Sequence, residues 1–468
     1  MRWREALNPI GMQRVALLAP EESLRDLLVT VADLGTVDLD DLGTNGNGAA
    51  RQQSPAAALL QRVGAGAPVA ARVARTPDLP GWEEDGRVDL ISGEAQLDDR
   101  AARATTRGRV SALTGWAAGD TVGPLAEAAA AVDGAVVVLP TPRGVDPPTL
   151  LLRKGASGDF APLIETYATV PYRDVNPSLI AGIAYVVMFG MMFADAGHGA
   201  LLLLVALAVR AKRWRRLAAL QPYWLFLAAA GLASTVFGAL YGEFFGPTHV
   251  IPVIWLSPLE HPVTLLLAAV AVGALLLAGA YALGTINRFR EGGWRLAVYA
   301  PSGLAGSSLF LGFGALAGGL YLHLAVLAVA GGLIALAALV VAYVGLFASA
   351  GGGAAGASQA AIELFDLVIR LGSNLVSFAR LAAFGLTHAA LGLVVWQGTT
   401  GLVGQGPLGV VGAVVVFTVG NTLTFALEGL VAGVQALRLE YYELFSRIFE
   451  GEGRPFRPWH VPLAPTEA

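Results

Sequence analysis

The chain has 468 residues, of which 55% are hydrophobic and only 14% are charged, and its mean hydropathy is +0.60. Soluble globular proteins carry about 25% charged residues, so this composition excludes an ordinary soluble enzyme and places most of the chain in lipid. A net charge of −4 offers no basic surface to nucleic acid, and the absence of cysteine excludes disulfides and Cys-ligated metal centres.

The charged residues divide the sequence into two parts. Residues 1–175 contain 17 Lys/Arg and 23 Asp/Glu, whereas residues 176–468 contain 14 and 12. We therefore expect a mildly acidic domain at 1–175 and a membrane domain at 176–468. The first residues lack the apolar core of a secretory signal, so we expect the acidic domain to remain in the cytoplasm.

The patterns in residues 1–175 predict a small α/β domain. Residues 13–19 favour a strand, Pro20 and the acidic pair after it open a helix that runs to Leu34, and residues 36–42 favour a second strand. Weak periodicity over 45–110 indicates short helices and linker. The segment SALTGWAAGD from 111, a helix from Pro124 and a strand over 135–140 follow, and the prolines of 140–148 indicate a linker.

After Pro177 the sequence consists of apolar stretches, and about 20 such residues cross a bilayer. We predict eight membrane helices. They lie at 178–194, 197–210, 221–246, 262–286, 296–318, 320–348, 362–397 and 407–437. The first two are divided only by the polar cluster at 195–198.

Basic residues follow only the even-numbered stretches. They cluster at 210–216, 288–295 and 447–457, while the loops after odd-numbered stretches contain no Lys or Arg. The positive-inside rule therefore predicts an even number of spans with both termini in the cytoplasm.

Polar residues inside the membrane concentrate in the last two predicted spans, where they repeat every seven residues. A step of seven drifts only about 20° around a helix, so each set forms one stripe. In the seventh span the stripe contains Asp366, Ser373, Arg380 and Thr387, with Ser377 beside it.

The eighth span carries a matching stripe of Asn421, Glu428 and Gln435, with Thr424 and Arg438 next to it. Polar stripes that face lipid are unstable, whereas stripes that face each other or a wet crevice form an ion path. We therefore predict an ion path along these two helices.

Arg380 has a specific chemistry in such a path. Its guanidinium stays protonated, so it cannot relay protons, but it holds a fixed charge opposite a passing carboxylate. That carboxylate must release its proton or ion as it approaches. Glu428 can titrate, and His388, two turns beyond Arg380, can donate or accept a proton.

Structural alternatives exist for each of these residues. Arg380 could pair with Asp366 or Glu428 as an architectural ion pair. His388 could be a satisfied polar side chain, and Arg438 could extend its charge to the headgroups.

Three further ionisable residues lie near predicted outer turns. Asp195 and His198 could be solvated there, and Glu243, within FGALYGEFFG, is expected near the outer surface.

Several segments in order resemble subunit I, also called subunit a, of archaeal and bacterial A/V-type ATPases. They are LTGWAAGD with DPPTLL, NPSLIAGIAYVVMFGMMFADAGHG, FGALYGEFFG, SNLVSFARLAAFGLTHAAL and EGLVAGVQALRLEYYELFSRIFEGEGRPFRPW, covering about 110–460. Arg380 occupies the position of the family's essential arginine. Glu428 and Arg438 match its intramembrane glutamate and second arginine.

The resemblance implies a stator subunit that conducts protons or Na⁺ through two offset half-channels to a carboxylate on a rotor ring. The two arginines would separate the half-channels, and Glu428, His388 and Gln435 would line the access routes. The last two helices would be long and tilted against the ring. The chain would have no nucleotide site, which agrees with the absence of GxxxxGK[ST].

The resemblance also implies partners and a location. The partners would be the rotor-ring proteolipid (c/K) subunits, the peripheral-stalk (E/G) subunits, membrane lipid and, indirectly, the catalytic A/B subunits and the central stalk. We expect a multi-pass protein of the plasma membrane that needs no cofactor or metal.

The predicted cytoplasmic domain departs from the family pattern. The family's arm has two α/β lobes joined by a long coiled coil, whereas residues 1–175 contain no sustained heptads, so 45–110 is interpreted as a shortened arm that binds the peripheral stalk.

Two other functions fit the sequence less well than a stator subunit does. A secondary ion-coupled transporter usually has internal repeats or broken helices, and no repeat is evident here. A scaffold that has lost transport would not retain Arg380.

Overall fold

The computed structural model describes residues 8–40, 54–63, 70–73, 76–151, 156–166, 168–212, 215–449 and 451–464. The chain divides into two compact units. One is an α/β unit of Pro9–Leu150 together with Gly453–Ala468, and the other is a helical unit that contains Leu151–Glu452.

The α/β unit is built on an antiparallel sheet with the order β2-β4-β1-β5, in which β3 pairs with β4. The strands are β1 Met12–Pro20, β2 Val37–Leu39, β3 Thr105–Arg107, β4 Val110–Ala118 and β5 Ala135–Leu139. The predicted strands at 13–19 and 135–140 are found, and the segment from 111 lies largely in β4. Of the strand predicted at 36–42, only Val37–Leu39 forms a strand, which is β2, and residues 41–42 lie outside the described part.

Helices cover the sheet and fill the region between β2 and β3. They are α1 Leu24–Leu34, α2 Pro55–Val63, α3 Leu79–Glu84, α4 Val88–Ala102 and α5 Val122–Ala130. The short helices expected over 45–110 are thus present as α2, α3 and α4, while residues 45–53, 64–69 and 74–75 lie outside the described part. Helix α1 ends at Gly35, whose φ of +57° is the left-handed cap that glycine favours.

The C-terminal segment is part of this unit, which the sequence did not predict. The Trp459 backbone N–H donates to the carbonyl of Val37 in β2 at 2.8 Å, and Leu463 forms a bridge with Arg72. Trp459, Val461 and Ala464 are buried. The segment therefore completes the hydrophobic core of a domain whose other residues lie more than 300 positions earlier in the chain.

The helical unit contains the apolar helices. They are α6 Ala156–Glu165, α7 Ser178–Met192, α8 Ala196–Arg210, α9 Trp224–Tyr241, α10 Pro262–Tyr299, α11 Leu304–Tyr321, α12 Ala325–Ser349, α13 Gly353–Ser377, α14 Ala379–Val403 and α15 Pro407–Leu439, followed by a π-helical turn at Glu440–Phe445 and α16 Ser446–Ile448.

Six segments among the described residues are long and apolar enough to cross a membrane. They are Ala219–Tyr241, Pro262–Tyr299, Leu304–Tyr321, Ala325–Ser349, Gly353–Val403 and Pro407–Ile448. Helices α7 and α8 have 15 residues each, shorter than the roughly 20 that span a bilayer. The protein is therefore a membrane protein with six candidate spans, and the count of eight stays a prediction, as does the tilt of the last two.

Several predicted boundaries were wrong. Helix α10 continues past 286 to Tyr299, with a break at Gly292–Gly293, where Gly293 has a φ of +68°. The fifth stretch therefore does not begin at 296 but after Pro301, because Ala300 is extended, as the residue before a proline prefers. The seventh stretch is also longer than predicted: α13 and α14 meet at Phe378 and together cover 51 residues.

Candidate functional site

Asp195 is the anchor of a buried polar cluster in the helical unit. It caps the N-terminus of α8, and its side chain is completely buried. One carboxylate oxygen, Oδ1, accepts the backbone N–H of His198 at 2.9 Å and of Phe245 at 3.0 Å, and Oδ2 accepts that of Gly246 at 2.8 Å. Three N–H groups thus replace the water that a carboxylate requires.

Small residues bring the supporting helices close together. Gly199 in α8 and Gly231 in α9 lie against each other's backbone, and a Cβ on either would collide with main-chain atoms of the opposite helix. A Cβ on Gly238 would likewise collide with main-chain atoms of Asp195 and Ala196. Membrane helices pack closely through such residues, and here the packing places the α9–α10 loop over Asp195.

His388 connects Asp195 to the last long helix. It lies on α14 and is 4% exposed. Its Nδ1 is in close contact with a carboxylate oxygen of Glu428 on α15, and its Nε2 lies 4.0 Å from Asp195 Oδ2. Glu428, His388 and Asp195 therefore form a continuous row of titratable groups between apolar helices.

His198 lies at the side of this row. Its Nδ1 is 3.7 Å from Asp195 Oδ1, and its ring centroid is 5.6 Å from that of His388. Phe193, Phe245 and Phe425 surround it. Neither of its ring nitrogens makes a hydrogen bond within the described part of the chain.

A metal ion could be held where the two histidines meet Asp195. The donor atoms of Asp195, His198 and His388 all lie within 4.8 Å of one another. Imidazole nitrogens and a carboxylate are the ligand set that zinc prefers.

Arg380 lies two turns from His388 along α14, about 12 Å at the rise of a helix. It is half-buried, and its Nη1 has no hydrogen-bond partner among the described residues. Arg438 on α15 and Glu443 in the π-helical turn lie within electrostatic range of it. The two arginines that the sequence singled out are therefore neighbours.

The structure gives other partners to the two carboxylates considered for Arg380. Asp366 pairs with Arg370 at 2.7 Å on the same helix, and Glu428 contacts His388. An architectural ion pair between Arg380 and either carboxylate is thus absent from the described residues.

The stripe on α13 and α14 lies largely on the surface of the helical unit. Asp366, Ser373 and Thr387 are exposed, Ser377 is half-buried, and the Thr387 hydroxyl donates to the carbonyl of Ala383 at 2.9 Å. Exposed polar groups on an apolar helix are costly in lipid, which favours a protein or water contact on this face.

The stripe on α15 faces inward over part of its length. Asn421 and Thr424 are buried, and the Asn421 amide donates to the carbonyl of Phe417 at 2.9 Å. Gln435 is half-buried, with an amide oxygen that no donor reaches in the described part. Arg438 is exposed.

Three buried residues of the cluster were not among the predicted site residues. The sequence left Asp195 and His198 as solvated groups at an outer turn and Glu243 near the surface, yet all three are buried. Glu243 lies within electrostatic range of Asp195 and His388. The available signal was an ionisable residue flanked by small residues, as in DAGHG, because small neighbours permit close helix packing around it.

A second buried cluster lies at the opposite end of α7. Asp174 is completely buried beside Glu291, which pairs with Arg288 at 2.7 Å. Asn287 accepts the Val175 N–H and donates to the Ile448 carbonyl. Burial and the nearby Glu291 carboxylate raise the pKa of Asp174 to about 8.

Comparison with known proteins agrees with this arrangement of motifs. Residues 125–256 and 359–461 match the V-type ATPase 116kDa subunit family, and these ranges include Asp195, Glu243, Arg380, His388 and Glu428. Together the two matched ranges cover half of the chain.

Individual relatives are proteins named A-type ATP synthase subunit I. The chain is 28% identical to that of Aeropyrum pernix over 369 residues, covering 69% of this chain and 52% of the relative. It is 27% identical to that of Methanocaldococcus jannaschii over 354 residues, covering 67% and 49%. The Halobacterium salinarum protein gives 27% over 384 residues, covering 67% and 51%. The chain spans about half the length of the curated relatives it matches.

The resemblance noted in the sequence is therefore confirmed by a match that includes the buried cluster and both arginine-bearing helices. The chain belongs to the V-type ATPase 116kDa subunit family, and the matched ranges include the segments that carry these polar residues.

Proposed function

We propose that this chain is the membrane stator subunit of a rotary A/V-type ATPase, and that it conducts protons or Na⁺ through two half-channels to a carboxylate on a rotor ring. The observation that carries the proposal is the row of Glu428, His388 and Asp195, with Arg380 two turns from His388 on α14 and its Nη1 without a hydrogen-bond partner within the described residues. Ionisable residues at this depth mark ion pathways in membrane proteins.

The row supplies the groups that one half-channel requires. Glu428 and His388 are in contact and both exchange protons, so a proton that reaches His388 passes to Glu428 without crossing apolar space. Asp195 is held by backbone N–H groups and stabilises a protonated His388 electrostatically. Asn421 and Thr424 add buried polar atoms on the same side of α15.

Arg380 acts as the barrier between the two half-channels in this proposal. It stays charged, so it repels cations that leak along the row and draws the ion off a passing rotor carboxylate. Arg438 reinforces the positive potential from the neighbouring helix. The exposed face with Asp366, Ser373 and Thr387 supports contact with a rotor ring of proteolipid subunits.

The α/β unit is proposed to bind the peripheral-stalk subunits and so to resist the torque of the ring. We further propose that the protein lies in the plasma membrane with both termini in the cytoplasm, linked indirectly to the catalytic and central-stalk subunits. The names of the relatives support membership in such a complex.

The proposal is tested by ATP-driven ion uptake into vesicles that contain the whole complex. Arg380→Gln should abolish uptake at matched assembly, because a neutral side chain no longer discharges the rotor carboxylate. Arg370→Gln is the matched control: it is also an arginine on the α13–α14 segment, but it pairs with Asp366 on its own helix.

The control should keep most of its uptake, since its guanidinium lies ten residues from Arg380 and is 65% exposed. If Arg380→Gln retains full uptake, Arg380 is structural and the proposed ion path is wrong.

A further inference from the structure

A buried histidine flanks the ion row, and the proposed proton transfer does not use it. His198 is 2% exposed, yet both of its ring nitrogens lack a hydrogen-bond partner among the described residues. A buried imidazole without partners is costly, since each unsatisfied polar atom loses its water. The side chain points at Asp195, with its Nδ1 3.7 Å from Oδ1.

We propose that Asp195, His198 and His388 bind one divalent transition-metal cation, of which Zn²⁺ is the best fit, and that the bound cation closes the ion row. The site itself rests on the ligand geometry alone. Its effect on transport rests on the proposed function.

The ligand distances suit a cation with short bonds after a small contraction. Ligand atoms around tetrahedral Zn²⁺ lie about 3.3 Å apart when the bonds are about 2.0 Å long. Here Asp195 Oδ1 is 3.7 Å from His198 Nδ1 and Asp195 Oδ2 is 4.0 Å from His388 Nε2, and one donor atom of each residue lies within 4.8 Å of the other two.

The surroundings already orient the ligands as a metal site requires. His388 contacts Glu428 through Nδ1, which leaves Nε2 directed at Asp195. A carboxylate behind a coordinating histidine fixes its tautomer and raises its basicity. Three backbone N–H groups hold Asp195 in place.

The charges and the donor types select the class of ion. Glu428, Asp195 and the nearby Glu243 supply negative charge to balance a divalent cation. Two imidazole nitrogens disfavour Mg²⁺ and Ca²⁺, which prefer oxygen ligands. The fourth position remains for water.

Closure of the row follows from the same contacts. A metal on His388 Nε2 blocks the nitrogen through which His388 faces Asp195. The cation fills the gap between His388 and Asp195 and adds positive charge there, so other cations no longer pass along the row while the metal is bound.

Metal binding is tested on the full chain in detergent with Co²⁺ as a spectroscopic probe for Zn²⁺. We expect one Co²⁺ per chain with the strong visible bands of a four-coordinate site, displaced by Zn²⁺. His198→Gln and His388→Gln should lose the bands. His261→Gln, an exposed histidine at the start of α10, should keep them.

The site is refuted if Zn²⁺ displaces no such bands, or if His198→Gln retains them at wild-type affinity. Binding should also weaken as the pH falls, because the ligands must be deprotonated.

Closure is tested in the intact complex in inverted vesicles. Zn²⁺ trapped in the lumen, on the side proposed to be external, should inhibit ATP-driven uptake, and a chelator in the lumen should restore it. Relative to its own uninhibited rate, His198→Gln should need at least about tenfold more Zn²⁺, a difference of ~1.4 kcal/mol.

Inhibition that is equal in wild type and His198→Gln refutes closure by this site. The two proposals can fail separately. If His198→Gln loses the Co²⁺ bands while Arg380→Gln keeps full uptake, the metal site is supported and the proposed ion path is refuted.

Discussion

At the scale of single residues, the site depends on how the protein replaces water around buried charge. Asp195 has three backbone donors, and His388 has a carboxylate on each side. Arg380 has neither a carboxylate in contact nor a full set of hydrogen bonds among the described residues. This lack of a partner agrees with our proposal that Arg380 meets a carboxylate of another subunit as that subunit moves past.

Glu428 and His388 should act as a unit. Glu428→Gln and His388→Gln should each lower ATP-driven uptake at least about tenfold, and the double variant should be little worse than either single one, because each removes the same contact. Coupling energies between contacting residues are about 0.5–3 kcal/mol. The uptake rates of the wild type and the three variants, measured at equal assembly, give a double-mutant cycle. Losses that strictly multiply would contradict a shared step.

Asp174 should make the stability of the helical unit depend on pH. Its pKa is raised to about 8 from the ordinary 3.8, so between these values the folded chain holds a proton that the unfolded chain releases. The stabilisation is complete below pH 4 and is lost as the pH rises through 8. Thermal unfolding in detergent should therefore show a falling midpoint from pH 6 to 9.

Asp174→Asn is the matched test of that dependence, since an amide of the same shape does not titrate. The variant should unfold with a flatter pH profile than the wild type above pH 6. An unchanged slope would show that other groups cause it.

At the scale of elements, close helix packing decides where the ionisable residues lie. Helices α8 and α9 meet through Gly199 and Gly231, and this contact sets the position of the Asp195 cap and the loop above it. The α11–α12 hairpin is packed in the same way, with Gly312, Gly319 and Gly331 against opposite backbone. Only some glycines have this role, so the glycine content alone does not identify the contacts.

Gly231→Leu should separate α8 from α9. The added side chain meets the backbone of Leu203 and Gly199, so we expect a loss of about 1–3 kcal/mol or more and lowered uptake through the displaced Asp195. Gly318→Leu on α11 is the control, because a Cβ there meets no atom within 4 Å. Thermal stability and uptake of both variants are compared, and equal stability would contradict the packing contact.

At the scale of the whole molecule, the two ends of the helical unit lead to one α/β unit. Residues from before and after the helices share its core. A compact domain lies on one side of a membrane, so we expect the helical unit to cross a membrane an even number of times. Six long helices satisfy this condition, as does the prediction of eight.

Trp459→Ala should destabilise the α/β unit although the residue lies near the end of the chain. Trp459 is buried in the core of that unit and its backbone bonds to β2. Truncation of a buried tryptophan costs about 3–5 kcal/mol. Limited proteolysis of the full chain should cut Pro9–Leu150 faster in this variant, whereas exposed Arg457→Ala should leave the rate unchanged.

The sequence by itself determined the membrane class, the small α/β domain, the family resemblance and the two helices with polar stripes. Apolar composition and the spacing of polar residues are local properties, so they can be recognised in the sequence without knowledge of the fold. The stripe on α15 follows from the same periodicity.

Only the tertiary structure decided which ionisable residues are buried together. Asp195, His198 and Glu243 come from one part of the chain and His388 and Glu428 from another, and their contacts depend on how five helices pack. It also decided that the last residues complete the α/β core. The physical reason is the same in each case: burial and pairing are set by contacts between segments distant in sequence, and local patterns do not encode them.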